Sequence, residues 1–305
     1  MKRWLFPGLG YLTYSLVVLI FLLWWRFPAD DIARWCEARL HARYPALVWK
    51  IAALHWKFPN RFVFEEIKGL SGKEAMLEID SLTFTADVTS LLRKNQLITY
   101  SASLYEGKGA GRIHLTPGHT FLCQGQFAGV QLEQMHGLVA RLQRAVRGEL
   151  GTTFSWQGVW PHLATRDLSG MLTVENGLLP LRKPVLGLQE IPFSKLTASI
   201  TYRDNEWQVD RGVLEAKSMH VSFKGNIVPG ADLDKVKIHF TGNLTPRAEL
   251  FKLAGIPNMA KVLRGFLRQG ALPFTVSGTA VEPAVRLPEG LSDALRRFQP
   301  RGGRQ

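Results

Sequence analysis

The chain has 305 residues and a formal net charge of +13, from 38 basic and 25 acidic residues. That length allows one large domain or two ordinary ones, with a substantial buried core. Two cysteines, Cys36 and Cys123, exclude a disulfide framework and lack metal-ligand spacing, so both read as unpaired thiols.

From Trp4 to Trp25 there is no charged residue, and Leu16, Val17, Val18, Leu19, Ile20, Phe21, Leu22 and Leu23 form the centre of the run. A helix needs about 20 apolar residues to cross the roughly 30 Å hydrocarbon core, so residues 1–28 are expected to hold a stub and a transmembrane anchor. Tyr11 and Tyr14 near one end, and Trp24 and Trp25 at the other, suit the aromatic belts of membrane interfaces. A cleaved secretory signal also starts with basic residues such as Lys2 and Arg3. It needs small residues at the cleavage site, however, and Leu23, Trp24, Trp25, Arg26, Phe27 and Pro28 are mostly bulky. Lys2 and Arg3 are opposed by Arg26, Arg34, Arg39 and Arg43, which balances the charge rule. Large domains translocate largely regardless of charge, so the expected layout is a single span with its stub inside and its body outside the cytoplasm. The anchor also changes what the positive charge implies. Beside anionic headgroups each cation gains about 1 kcal/mol, fading within a Debye length. No helix-turn-helix, zinc finger or aromatic ribonucleoprotein strand accompanies the charge, and nucleic acid is not an expected partner.

Residues 29–45 read as a juxtamembrane helix, with Asp30 or Asp31 as cap, Ile32, Trp35, Cys36 and Leu40 at helical spacing, and Pro45 as the stop. From 46 to 285 the dominant period becomes two, which predicts strands with one buried face. The clearest are Leu82, Phe84 and Ala86; Ile98, Tyr100, Ala102 and Leu104; Leu196, Ala198, Ile200 and Tyr202; and Val236, Ile238, Phe240, Gly242 and Leu244. Glycines recur among them, as at Gly107, Gly109, Gly111, Gly125, Gly129, Gly225 and Gly242, in the manner of bends and bulges in a curved sheet. The run from Gly107 to Gly111 lacks the lysine and helix of a phosphate loop. The strand order around Leu82 to Leu115 is echoed around Leu196 to Val228, at an offset of roughly 110 to 114 residues, which suggests two related sheet units.

Two amphipathic helices are expected to interrupt the strands. Leu132, Met135, Val139, Leu142 and Val146 form one seam, and Met259, Val262, Leu263, Phe266 and Leu267 another. Each seam either rests on a membrane or partner or caps an open end of the sheet. The basic stretch 286–305 reads as a disordered tail. The fold class is thus mainly β: one N-terminal transmembrane helix, then an elongated, curved antiparallel sheet with a few short helices.

Convergent chemistry is missing from the pattern. His41, His55, His114, His119, His136, His162, His220 and His239 are dispersed, and no zinc-protease helix or serine elbow occurs. The adjacent carboxylates Glu65 and Glu66, and Asp232 and Asp234, read as solvated pairs. Neither a cofactor nor enzymatic activity is expected.

The anchor, then Phe27-Pro28-Ala29-Asp30 and a helix, then Leu178 to Leu188, Ile191-Pro192-Phe193-Ser194-Lys195-Leu196 and Phe223-Lys224-Gly225-Asn226-Ile227, resembles type II secretion system protein N over nearly the whole chain. The same features are similar, more broadly, to AsmA-like proteins. The first resemblance implies an inner-membrane accessory subunit of type II protein secretion, acting in the periplasm by contact with the inner-membrane platform proteins. The second implies a sheet whose apolar face holds phospholipid acyl chains. An apolar sheet face needs a cover, and that cover is another sheet, a helix or lipid.

Overall fold

The structure is a computed structural model that describes residues 26–72, 74–91, 95–142, 145–159, 164–230, 235–253, 259–291 and 294, together with Tyr11, Tyr14, Ser15, Val18, Leu19 and Leu22. Helix α1 (Ala29–Arg43) comes first, followed by β1 (Val48–Lys57), β2 (Arg61–Ser71), β3 (Glu74–Ala86) and a single turn of helix, α2 (Val88–Leu91). Next are β4 (Gln96–Leu104), β5 (Gly107–Thr116), β6 (Thr120–Gln131), α3 (His136–Leu142), β7 (Arg147–Val159), β8 (Ala164–Val185), β9 (Leu188–Arg203), β10 (Glu206–Glu215) and β11 (Met219–Val228). The chain continues through β12 (Lys237–Pro246), α4 (Ala248–Leu253), α5 (Met259–Arg264), β13 (Leu272–Thr279) and β14 (Pro283–Arg286).

The strands form one antiparallel sheet of fourteen, ordered β1 to β14 without a crossover. Each strand pairs with its sequence neighbours, so every connection is a hairpin or a short excursion. The expected pair of related units is therefore one continuous meander, and the echo reflects its repeating strand-and-turn order. Register irregularities occur where the two-residue period of the sequence slips. Between Val209 and Gly212 of β10 one extra residue bulges out, and another does so between Phe127 and Val130 of β6, where Gly129 adopts φ +75°. A one-residue slip would turn the following apolar side chains to the other face; the bulge absorbs the extra residue and keeps them aligned.

Helix α1 starts at residue 29 as expected, but its cap lies two residues before Asp30. Its N-cap is Pro28, with no side-chain cap, and Asp30 and Asp31 lie in the first turn. Proline already has a near-helical φ, so it sets the start, and the carboxylates act on the positive helix end instead. The helix ends at Tyr44, just before Pro45, as expected. It shields the free edge of the sheet: Glu37 Oε1 accepts the Ile51 backbone N–H at 2.7 Å, satisfying an edge donor.

The expected seam from Leu132 to Val146 is not one helix. It divides into a 3-10 turn at Leu132–Gln134 and α3, with Val146 in extended chain before β7. The break lets Gly137 lie against the backbone of Ala75 and Met76 on β3, where any side chain would collide. Both seams face inward. Leu132 and Leu263 are buried in the main core cluster, with Met135, Val146, Val262, Phe266 and Leu267 packed against it. Val139 is half-buried, whereas the Leu142 and Met259 side chains lie outside the description. These residues therefore cap the sheet's own end rather than offering a free membrane or partner surface. The body also extends past 285, because β14 reaches Arg286 and Leu291 is fully buried in the same cluster. The tail from 295 onward lies outside the described residues.

Glycine and aromatic residues face each other across the strands. Gly109 pairs with Phe127, Gly125 with Phe154, Gly177 with Phe193, Gly212 with Phe223, Gly225 with Phe240 and Gly242 with Phe274. A Cβ on any of these glycines would meet the ring opposite. Replacing Gly225 by valine should therefore lower stability by about 1–3 kcal/mol, the usual cost of overpacking, as read by chemical unfolding. The neighbouring exposed change Lys224→Val should stay within about 0.5 kcal/mol. Equal losses in the two variants would show that the close packing is not what holds this part of the sheet.

Candidate functional site

Sheet register carries the site. Starting at Trp56 and stepping from partner to partner across all fourteen strands, the row reads Trp56, Phe62, Phe84, Tyr100, Gly111, Gly125, Phe154, Gly170, Ile200, Val209, Gly225, Phe240, Val276, Val285. No member carries a charge, and the only polar side-chain groups in it are the Trp56 indole N–H, which donates to the Pro59 carbonyl, and the Tyr100 hydroxyl. The row one step further along the other side chains reads Thr85, Thr99, Arg112, Gln124, Ser155, Ser169, Thr201, Gln208, Asn226, His239, Ser277. Since side chains alternate between faces, one side of the sheet is apolar from edge to edge and the other is polar.

A flat sheet of this kind would leave its apolar face fully exposed. Here Tyr100, Phe121 and Cys123 are buried at 8%, 4% and 7% exposure, packed by Phe84, Ile113, Leu115, Phe154 and Trp156, all from β3 to β7. Among the described residues no element outside the sheet contributes to that cluster, so the sheet's own curl encloses it. The apolar face is therefore the concave floor of a trough, whose aromatic side chains lean over a glycine-lined surface. Phe121 meets Trp156 edge-on at 4.9 Å, and Tyr202 lies 4.9 Å from Trp207.

One end of the trough is plugged. Val174, Leu214, Leu244 and Leu272, on β8, β10, β12 and β13, fall in one cross-strand row with Leu196 and Val221, and they are buried in one cluster with Leu132, Leu250, Leu263 and Leu291 from the segments outside the strands. Leu250, Leu272 and Leu291 have no exposed surface, and Leu263 has 1%. The plug is tied down by Arg247, just before α4: its guanidinium donates to Glu215 Oε2 at 2.7 Å and to the Ala216 carbonyl at 2.8 Å. Glu215 also binds His220 Nδ1 at 2.7 Å. Local desolvation acts to raise the Glu215 pKa, but the hydrogen bonds and charges of His220 and Arg247 prevail and hold it below the ordinary carboxylate range.

At the opposite end the side chains of Trp56, Phe62, Trp156, Tyr202, Trp207 and Ile238 are only half-buried, and no helix of the described residues packs over them. Phe27 stands at this mouth, its ring 5.1 Å from Trp56 and 6.1 Å from Phe62. Immediately before it lies the apolar run. Tyr11, Tyr14, Val18, Leu19 and Leu22 are helical, with Tyr11 at 76% and Tyr14 at 69% exposure. Leu16, Val17, Ile20, Phe21, Leu23, Trp24 and Trp25 lie outside the described residues. Among the described residues no helix is long and apolar enough to cross a membrane.

Groups considered for chemistry stay apart. Glu65 faces His55 at 3.5 Å and Glu66 faces Lys68 at 3.6 Å, so the adjacent pair serves two separate exposed partners. His114 is on β5 and His119 in the turn that follows. Asp232 and Asp234 lie outside the described residues. Among the described residues no group of three or more histidine, cysteine or acidic side chains could hold a metal ion. The signals missed in reading the chain were the glycine-aromatic pairs; glycine spacing was visible, but which ring faces which glycine depends on register.

No protein-family model matches this chain, and neither a curated protein nor a solved structure shows significant similarity to it.

Both thiols are free, with Cys36 partly accessible on α1 and Cys123 buried in the trough floor. Burial raises the pKa of each; the neighbouring Glu37 adds to this at Cys36, while the Tyr100 hydroxyl partly opposes it at Cys123. Less thiolate is then present near neutral pH than for an ordinary thiol. Iodoacetamide should modify Cys36 well before Cys123 in the native protein, and both at equal rates once unfolded, as followed by peptide mass spectrometry. Prompt native labelling of Cys123 would mean that the floor is open to solvent.

Proposed function

We propose that this chain is a membrane-anchored periplasmic protein that shelters acyl chains in the trough of its sheet, in the manner of an AsmA-like lipid-binding or lipid-transfer protein. The observation that carries this reading is the unbroken apolar row from Trp56 to Val285, over whose middle no second layer lies among the described residues. Leaving so many aromatic and aliphatic groups half-exposed forfeits about 25 cal/mol per Å2 of apolar surface, and a bound acyl chain recovers that loss. The trough has no charged group in its central row, so it suits a chain without a polar head and discriminates little among apolar occupants. A catalytic role has no convergent residues to support it. Native mass spectrometry of the full chain, extracted in mild detergent, should find phospholipid retained. A well-folded protein free of lipid after extraction argues for a trough filled in some other way.

A second reading is that of an accessory subunit of type II protein secretion in the inner membrane, working by contact with the platform proteins. What supports it is the order of features: the anchor, Phe27-Pro28-Ala29-Asp30, α1, and then a meander in which Ile191 to Leu196 lie on β9 and Phe223 to Ile227 on β11. The polar face gives protein partners a surface separate from the trough, so lipid and protein contacts are compatible in one molecule. Deleting residues through Trp25 should release the body from the membrane and abolish its co-purification with the platform. Normal secretion by that truncated form would remove the accessory-subunit reading.

A further inference from the structure

We infer that the trough is a receptor with a single mouth, which takes acyl chains tail first and leaves the headgroup at the membrane side. This rests on the acyl-chain reading above and adds direction and depth to it. Three observations carry it.

First, the two ends of the apolar face differ. At the end where β8 meets β9, Val174 and Leu214 are buried under Leu132, Leu250 and Leu263, which leaves no passage for a chain. On the same side, α3 reaches back to β3, with Gly137 against the backbone of Ala75 and Met76. An occupant that slid along the sheet would stop there. Second, the open end is the one beside Phe27, at the rim formed by Trp56 and Phe62. Helix α1 then runs back along β1 towards the plugged end, as shown by the hydrogen bond from Ile51 N to Glu37 and the contact of His41 Nδ1 with the Leu47 carbonyl. The apolar run before Phe27 therefore meets the body at the mouth and not at the plug.

Third, the depth fits. From Leu196, packed against the plug, to Tyr202 at the mouth is six residues along β9, or about 20 Å at a rise of roughly 3.3 Å per residue. The hydrocarbon core of a bilayer is roughly 30 Å thick, so the chains of one leaflet are about 15 Å long. Tails that enter at the mouth therefore reach about three quarters of the way to the plug. The head then stays outside, because the central row holds no charged partner for it, and burying an unpaired charge is prohibitive. The basic, glycine-containing stretch from Arg301 to Gln305 is unsuited to the same space for the same reason.

The test uses the full-length protein in nanodiscs prepared with phosphatidylcholine that carries a photoreactive diazirine either at the tail end or next to the glycerol. After illumination, the tail-end reagent should label residues near Val174, Leu196 and Leu214 several-fold more than the mouth, and the glycerol-proximal reagent should show the reverse preference around Tyr202 and Trp207. The variant Ile200→Trp, at a half-buried position of the apolar row between plug and mouth, should shift tail-end labelling towards Tyr202. Equal labelling of both ends by both reagents overturns the single-mouth arrangement while leaving lipid binding intact. No labelling in the trough, together with no co-purified lipid, overturns both. A trough found crosslinked to a protein segment does so as well.

Discussion

The whole structure depends on strand register. Fourteen neighbours must align so that Trp56, Tyr100, Phe154, Ile200 and Phe240 fall on one face, and a shift of one residue anywhere would bring the polar row to the inside. Hairpin connections make most of that alignment local, and the longer excursions, from β6 to β7 and from β12 to β13, are the ones that carry α3, α4 and α5. Glycine-aromatic pairs then reinforce it. Phe127 can lie down only where Gly109 is opposite, and Phe240 only opposite Gly225; a slipped register would place each ring against a side chain.

The same pairs explain why the sheet needs no second layer along its middle. Rings folded flat over glycine cover the backbone, and curvature brings the next strand's aromatics close enough to share their buried surface. Tyr100 is the extreme case, its hydroxyl lying close over both Gly111 and Gly125 and 4.0 Å from Cys123 Sγ. What curvature cannot do is close an end. There the protein uses leucines on short helices, and Arg247 ties the first of them to Glu215 and Ala216. An end closed by such packing and an end left open are different physical objects, and the asymmetry gives the trough a direction.

Much of this was legible in the chain. The alternation of Ile98, Tyr100, Ala102 and Leu104 signals a strand with one buried face, and β4 is that strand. Where alternation failed, as from Val209 to Gly212, the period alone could not distinguish the end of a strand from a bulge, since both break it in the same way. The seams at Leu132 and Met259 were visible as apolar stripes, but a stripe has no address: only the position of Gly137 against β3, and of Leu263 in the core, shows that they turn inward. The cap of α1 was misassigned, though its start was not, because two aspartates look like caps while Pro28, before Ala29, occupies the N-cap position and leaves them in the first turn. The trough itself was out of reach, since its central row joins residues far apart in sequence and exists only once all fourteen strands have paired.

If the apolar run before Phe27 anchors the chain to a membrane, as proposed, the tether and the trough constrain each other. A body held at a bilayer through the residues before Phe27 can turn about that point, yet the mouth stays near it, because Phe27 packs on Trp56 and Phe62 at the rim. A lipid leaving the membrane then crosses a short polar gap before its tails are again in an apolar environment. Exposing those tails to water is the main barrier to extraction, at about 0.8 kcal/mol per methylene, so shortening the gap lowers the barrier more than improving any contact inside the trough. The polar face, which bears Arg112, Gln124, Gln208 and His239, points away from that exchange and is free for contacts of a different kind. A protein that must meet both a membrane and a partner has reason to separate the two by the thickness of one sheet.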